Sequence, residues 1–177
     1  MKFSETTLQG VTVVELEALS DDRGFFARSF DEKEFEAHGI PLSVRQCNIS
    51  FNAKAGTLRG MHYQAEPYGE PKLVRCTRGA LFDAVLDLRP ESPTYKKWFG
   101  IELSADNGKA LYIPKGCAHG FQTLEDKTEV HYLMGEFFHP ESTAGVRFDD
   151  PAFAIRWPET ATRIISEKDM SYPRWSV

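Results

Sequence analysis

The sequence predicts an all-β sandwich or barrel with few helices, and three observations carry that expectation. Short apolar or alternating runs recur from Val11 to Phe148. Turn residues separate them, as at Arg78-Gly79, Pro90-Glu91-Ser92-Pro93, Asp106-Asn107-Gly108 and Pro114-Lys115-Gly116. Only one stretch in the first half of the chain reads as a good helix. Many short strands punctuated in this way are the signature of sandwiches and barrels.

Taken in order, the predicted strands are VTVVEL (11–16), GFFARSF (24–30), VRQCNISF (44–51), KLVRC (72–76), ALFDAVLDL (80–88), WFGIEL (98–103), ALYIP (110–114), HGFQTL (119–124), EVHYLM (129–134) and GVRF (145–148). In KLVRCTR the alternation places Lys72, Val74 and Cys76 on one face and Leu73, Arg75 and Thr77 on the other. DEKEFEAHG (31–39) is the helix, capped by Asp31 and ended by Gly39. From Pro158 the chain reads as an irregular tail with one helical turn. No repeat, low-complexity tract or linker breaks the pattern, so residues 1–177 are expected to form a single domain. LRGMHYQ (58–64) is the anomaly: it has the length of a strand but spends interior positions on Arg59, Gly60 and His62, where strands favour β-branched and aromatic residues.

Composition excludes some classes. The 177 residues are 41% hydrophobic and 27% charged, with a net charge of −5. That balance is ordinary for a globular protein and argues against nucleic acid as a partner. The start, MKFSETTLQG, has no apolar leader region, and no stretch approaches a membrane span. Cys47, Cys76 and Cys117 are odd in number and widely spaced, which suits small buried hydrophobes in a reducing compartment. A cytoplasmic protein is the expectation.

The histidines narrow the chemistry. His38 and His139 read as exposed and bland, whereas His62, His119 and His131 lie in or beside strands. Alone, each is better explained as a hydrogen-bonded structural residue. His62 stands out because Arg59, Gln64 and Lys72 are near it, and His119 because it follows the turn PKGCAHG. A strand-borne divalent site wants a close His-x-His pair, a Glu and a later His. Here Tyr63 and Gln64 follow His62, so no metal is expected. No cysteine has a local base, and no phosphate-binding glycine loop is present. Acid–base chemistry remains, with His62 as base and Tyr132 and Lys72 as further participants. The residues alone do not choose the carboxylate that orients His62.

The chain resembles the dTDP-4-dehydrorhamnose 3,5-epimerase family, from about residue 10 to about residue 173. The pieces, in order, are DDRGFF (21–26), QCNIS (46–50), GTLRGMHYQ (56–64), PKLVRCTRG (71–79), DLRPESPTYKKW (87–98), ELSADN (102–107), IPKGCAHGF (113–121), EVHY (129–132), HPEST (139–143), DDPAFAIRWP (149–158) and ISEKD (165–169). Their collinearity makes the resemblance specific. It implies a cupin-type jelly roll (double-stranded β-helix) with a few short helices. The implied activity is an isomerase that inverts C3, C5 or both in a nucleotide-diphospho-4-keto-6-deoxyhexose, feeding a deoxysugar for O-antigen or other surface polysaccharide. His62 matches the general base, Asp169 its orienting carboxylate, Tyr132 the general acid and Lys72 the stabiliser of the enolate oxygen. Arg23 and Arg59 match diphosphate contacts; Gln46, Asn48, His119 and Lys168 match other substrate contacts. No cofactor is implied, and a homodimer is. A metal-dependent cupin enzyme and a non-catalytic sugar-nucleotide binder are the alternatives. The first predicts bound Fe, Mn or Ni, and the second makes the acid–base set superfluous.

The chain departs from the family in one cluster. Arg28 stands where a Glu is common, Phe138 where a Tyr stacks on the base, Thr143 where a Glu lines the base pocket, and Cys47 where an Asp precedes Asn48. Arg28 donates and cannot accept, which suits the unprotonated N3 and O2 of cytosine better than the N3–H of thymine. Phe138 keeps a stacking surface for either base. These departures tilt the expected substrate toward a CDP-sugar, with dTDP left open.

Overall fold

The computed structural model describes residues 1–175. Two antiparallel sheets face each other in a jelly-roll sandwich. The strands are β1 (Lys2–Glu5), β2 (Thr12–Glu15), β3 (Leu19–Asp21), β4 (Gly24–Phe26), β5 (Gln46–Asn52), β6 (Leu58–Gln64), β7 (Lys72–Arg78), β8 (Ala80–Asp87), β9 (Trp98–Ser104), β10 (Lys109–Ile113), β11 (Cys117–Thr123), β12 (Thr128–Met134) and β13 (Thr143–Gly145). One sheet has the order β1-β2-β10-β7-β12-β5 and the other β13-β6-β11-β8-β9, while β3 and β4 pair only with each other. The helices are α1 (Glu32–Ala37) and α2 (Glu167–Ser171).

Alternation along the strands builds three layers of apolar packing. Val74, Leu81, Val85, Leu111, Phe121 and Val130 fill the space between the sheets. Leu73, on the opposite face of β7, packs with Val14, Tyr112 and Phe35 of α1. Full burial of Phe35 contributes about 2–3 kcal/mol. The Asp31 side chain caps α1 by accepting from the backbone N–H groups of Lys33 and Glu34. Met61, Leu86 and Ala118 pack outward against Val146 and Phe153, with Trp157 against this layer. The tail supplies the single helical turn expected of it, α2, capped by Ser166.

Three sequence expectations need correction. GFFARSF is a strand only at Gly24–Phe26; beyond Phe26 there is no partner strand, and Phe30 turns back to pack 4.9 Å from Phe35, ring to ring. The strand near GVRF is Thr143–Gly145, shifted toward the N-terminus. Val146 still exchanges backbone bonds with Met61, at 3.1 and 3.3 Å, but its side chain goes into the outer packing layer. Cys76 and Cys117 are buried, and burial pushes their thiols up to about 11 and about 12, but Cys47 is exposed on the edge strand β5. Among the described residues no helix is long and apolar enough to cross a membrane.

The anomalous stretch 58–64 forms β6, with a bulge in its middle. His119 pairs with His62 and Phe121 with Arg59, so two steps along β11 match three along β6. The extra residue turns Arg59 and His62, which a regular strand would point to opposite faces, to the same inner side. Gly60 makes the bulge possible. Its φ is +119°, and a Cβ there would lie 2.6 Å from the Gly120 Cα and 2.8 Å from the His119 carbonyl oxygen.

Candidate active site

The bulge brings β6 into a cavity of about 300 Å³ between the sheets. It is lined by Asn48, Ile49 and Ser50 of β5, Arg59 and His62 of β6, Glu70, Lys72 of β7, His119 and Phe121 of β11, and Tyr132 and Met134 of β12. Each comes from an inner-facing strand position or from the loop before β7, apart from Ile49 at the open edge.

His62 and Asp169 form the central pair. Nε2 of His62 lies 2.7 Å from Oδ1 of Asp169, which α2 carries. The His62 side chain is 41% exposed and that of Asp169 6%, so the ring faces the cavity from a buried anchor. A carboxylate acceptor holds the proton on Nε2 and leaves the Nδ1 lone pair free. Burial lowers the His62 pKa below its ordinary 6.5, partly offset by the Asp169 hydrogen bond and charge. His62 is therefore neutral, and able to accept a proton, at neutral pH.

Tyr132 occupies the opposite sheet. Burial, reinforced by the charge of Asp83 and opposed by Arg59, pushes its phenol far above 10, so the hydroxyl keeps its proton. Lys72 pairs with Glu70 at 2.6 Å, and both side chains are nearly buried. His119 is bonded through Nε2 to Oδ1 of Asp83, a fully buried carboxylate on β8. Arg59 donates from Nε to Oδ1 of Asn52 at 2.8 Å. The cavity thus holds a neutral imidazole, a protonated phenol and cations on facing walls, a set that can move protons and stabilise a developing oxyanion.

Seven of the residues singled out in the sequence therefore lie together: His62, Asp169, Tyr132, Lys72, Asn48, Arg59 and His119. The others do not line the cavity. Gln46 accepts from the Phe138 backbone N–H at 2.6 Å, and the Phe138 ring is exposed. Lys168 is exposed on α2, one residue from Asp169. Arg23 sits on the β3–β4 hairpin with a 90% exposed side chain paired to Asp21. Arg28, beyond that hairpin, pairs with Asp31 at 2.5 Å. Thr143 is on β13, and its buried hydroxyl has no protein partner among the described residues.

Asp83 and Glu70 escaped the sequence reading. Asp83 carried a signal, a charge in the middle of the apolar run ALFDAVLDL, because a carboxylate in a core strand needs a partner. Glu70 lies in a Pro- and Gly-rich loop, and only the fold shows that it reaches Lys72. Among the described residues, no group of three His, Cys, Asp or Glu side chains is placed to hold one metal ion.

Comparison with known proteins places this geometry. The sequence profile of the dTDP-4-dehydrorhamnose 3,5-epimerase family matches residues 5–176. The dTDP-4-dehydrorhamnose 3,5-epimerase of Escherichia coli (strain K12) is 45% identical over 170 residues, covering 96% of this chain and 91% of that protein. That of Sinorhizobium fredii is 43% identical over 173 residues, covering 98% and 89%. The crystal structure of the Bacillus anthracis enzyme, with TDP and PPi bound, superposes with a TM-score of 0.95 at 42% identity, covering 98% of this chain and 99% of that one. With this profile match, these identities and this shared architecture, the chain belongs to the dTDP-4-dehydrorhamnose 3,5-epimerase family and is an isomerase.

Proposed function

We propose that the protein inverts both C3 and C5 of a dTDP-linked 4-keto-6-deoxyhexose, for synthesis of a surface-polysaccharide deoxysugar. The observation that carries this is the neutral His62, held by Asp169, across one cavity from the protonated Tyr132. The C–H bonds beside a 4-keto group are acidic because the carbanion spreads onto the carbonyl oxygen. Nδ1 of His62 takes the proton, and the electron pair moves to O4 as an enolate. Lys72 and the His119–Asp83 pair stabilise that oxygen. Tyr132 returns a proton to carbon from the opposite face, which inverts the centre, and solvent restores both groups. Arg59 and Asn48 in the cavity, with Gln46 and Lys168 outside its lining, hold the nucleotide end. The names of the relatives support the double inversion and dTDP. Incubation with dTDP-4-keto-6-deoxyglucose in D2O tests the reading. Deuterium at C3 and C5, lost in His62→Asn, is expected; an unlabelled sugar would overturn it.

A CDP-linked substrate is the second reading, favoured by Arg28 and Thr143, with Phe138 neutral between the bases. The Arg28–Asp31 pair supports dTDP, because it ties the guanidinium to α1 instead of the cavity.

A homodimer is part of the same proposal. The β3–β4 hairpin exposes Leu19, Phe25 and Phe26, the edge strand β5 exposes Ile49 and Phe51, and Arg23 on the hairpin is exposed and outside the lining of its own cavity. Such an apolar arm and open edge suit a second copy, with Arg23 delivered to the partner's diphosphate site. Light scattering giving a monomer mass would reject this. We read residues 1–177 as one domain, since the family match spans nearly all of them. The three free cysteines support a cytoplasmic protein.

A further inference from the structure

The outer face of the six-stranded sheet carries a second cavity, of about 420 Å³. Strand alternation puts it on the opposite side of β7 and β12 from Lys72 and Tyr132. Leu73, Arg75 and Leu133 form its floor together with His131, the register partner of Arg75 on β12; Phe30 and Val44 wall it, and Ser29, Cys47 and Thr77 lie at its exposed rim.

Arg75 is the unusual member. It is 9% exposed, and its Nη1 donates to the Gly108 carbonyl at 2.8 Å. Its buried Nη2 has no hydrogen-bond partner among the described residues. No carboxylate lines the cavity, and burial alone lowers the guanidinium pKa to about 10. Arg89 and Arg147, by contrast, are each forked onto a carboxylate, Asp87 and Asp149. A buried charge is ordinarily paired, so an unpaired guanidinium facing an apolar cavity marks a place for an anion.

We propose that this cavity binds a small amphipathic monoanion: a carboxylate on a single-ring or short aliphatic body. The carboxylate pairs with the Arg75 guanidinium, and the body lies against Leu73, Leu133 and Phe30. Arg75 is the one Lys or Arg of the lining, with the His131 ring beside it, so one negative charge matches it better than a phosphate dianion.

Phenylacetate is a suitable probe and phenylacetamide its neutral control, titrated calorimetrically into the full chain with and without saturating dTDP. Phenylacetate is expected to bind one per chain, at least tenfold more tightly than the amide, and to be unaffected by dTDP. Arg75→Met should weaken it at least tenfold. That change leaves the Gly108 carbonyl without its donor, so Leu133→Trp is the second variant. It fills the cavity, keeps the guanidinium, and should abolish phenylacetate binding with turnover unchanged. No binding to the wild type, displacement by dTDP, equal affinity for the amide, or undiminished binding in Leu133→Trp would each overturn the proposal.

Discussion

Asp169 holds His62 from 107 positions away along the chain, and the same carboxylate accepts the backbone N–H of Gly60 at 3.2 Å through its other oxygen. One buried group thus fixes both the imidazole and the bulge that aims it. Asp169→Asn keeps the shape and removes the charge. Asp169 raises the His62 pKa against burial, so its loss should move that pKa further below 6.5. A base works only when unprotonated, so kcat/KM falls as pH drops through this pKa. In the variant the acid limb should shift to lower pH, while the plateau falls about 10²-fold. An acid limb that stays in place would show that Asp169 does not act on the titrating group.

Gly60→Ala tests the bulge itself. The new Cβ would meet backbone at under 3 Å from β11, at a φ that L-residues rarely adopt. A destabilisation of about 3 kcal/mol is expected from such a clash, read as a lower urea midpoint. The part of the population still folded should be nearly inactive, because Arg59 and His62 then lose their common face. Wild-type activity with wild-type stability would mean that the strand can be regularised without cost.

Tyr132 and Lys72 should separate by isotope. Tyr132→Phe removes the proton donor and keeps the ring, so His62 still exchanges the C–H proton with D2O while inversion fails. Lys72→Ala leaves Glu70 as an unpaired, nearly buried carboxylate beside a developing oxyanion, so exchange and inversion should fall together. Losses of about 10²–10⁴-fold are the ordinary range for such groups. Parallel loss of both activities in Tyr132→Phe would remove it as the inverting acid.

What the sequence made legible follows the range of the interactions. Period-two alternation is local, so β2, β5, β7 to β12 and the shared face of Lys72 and Val74 could all be read directly. The helix 31–39 could be read because its cap, Asp31, lies within one turn. For Arg59 and His62 the sequence offers two alternatives, a bulge near Gly60 that gives them a common face or a site shared across a dimer interface, and does not decide, because a bulge depends on the register against β11, about 60 residues away. Asp169 was out of reach of physical reasoning for the same reason: nothing near it in sequence ties it to His62, and only the resemblance supplied it. Asp83 was legible in principle, since a carboxylate inside an apolar strand announces a buried partner. Arg23 and Arg28 mark a different limit: the chain carries them on and just beyond the β3–β4 hairpin, outside the lining of its own cavity.

The nucleotide base gives the last prediction. Thymine presents an N3–H, which calls for an acceptor; cytosine presents N3 and O2 acceptors, which call for a donor. Arg28 would supply the donor only if it left Asp31, which accepts its guanidinium and at the same time caps α1. Breaking that arrangement exposes a carboxylate whose pKa is held low, first by the Arg28 hydrogen bond and then by the Glu34 backbone N–H. The exposed Phe138 ring can stack on either base and so does not discriminate. Titration of the wild type should therefore show dTDP binding at least tenfold more tightly than CDP, the ratio unchanged in Arg28→Ala. Tighter CDP binding that Arg28→Ala abolishes would establish the cytosine reading and place Arg28 on the base, leaving the chemistry at His62 and Tyr132 as it stands.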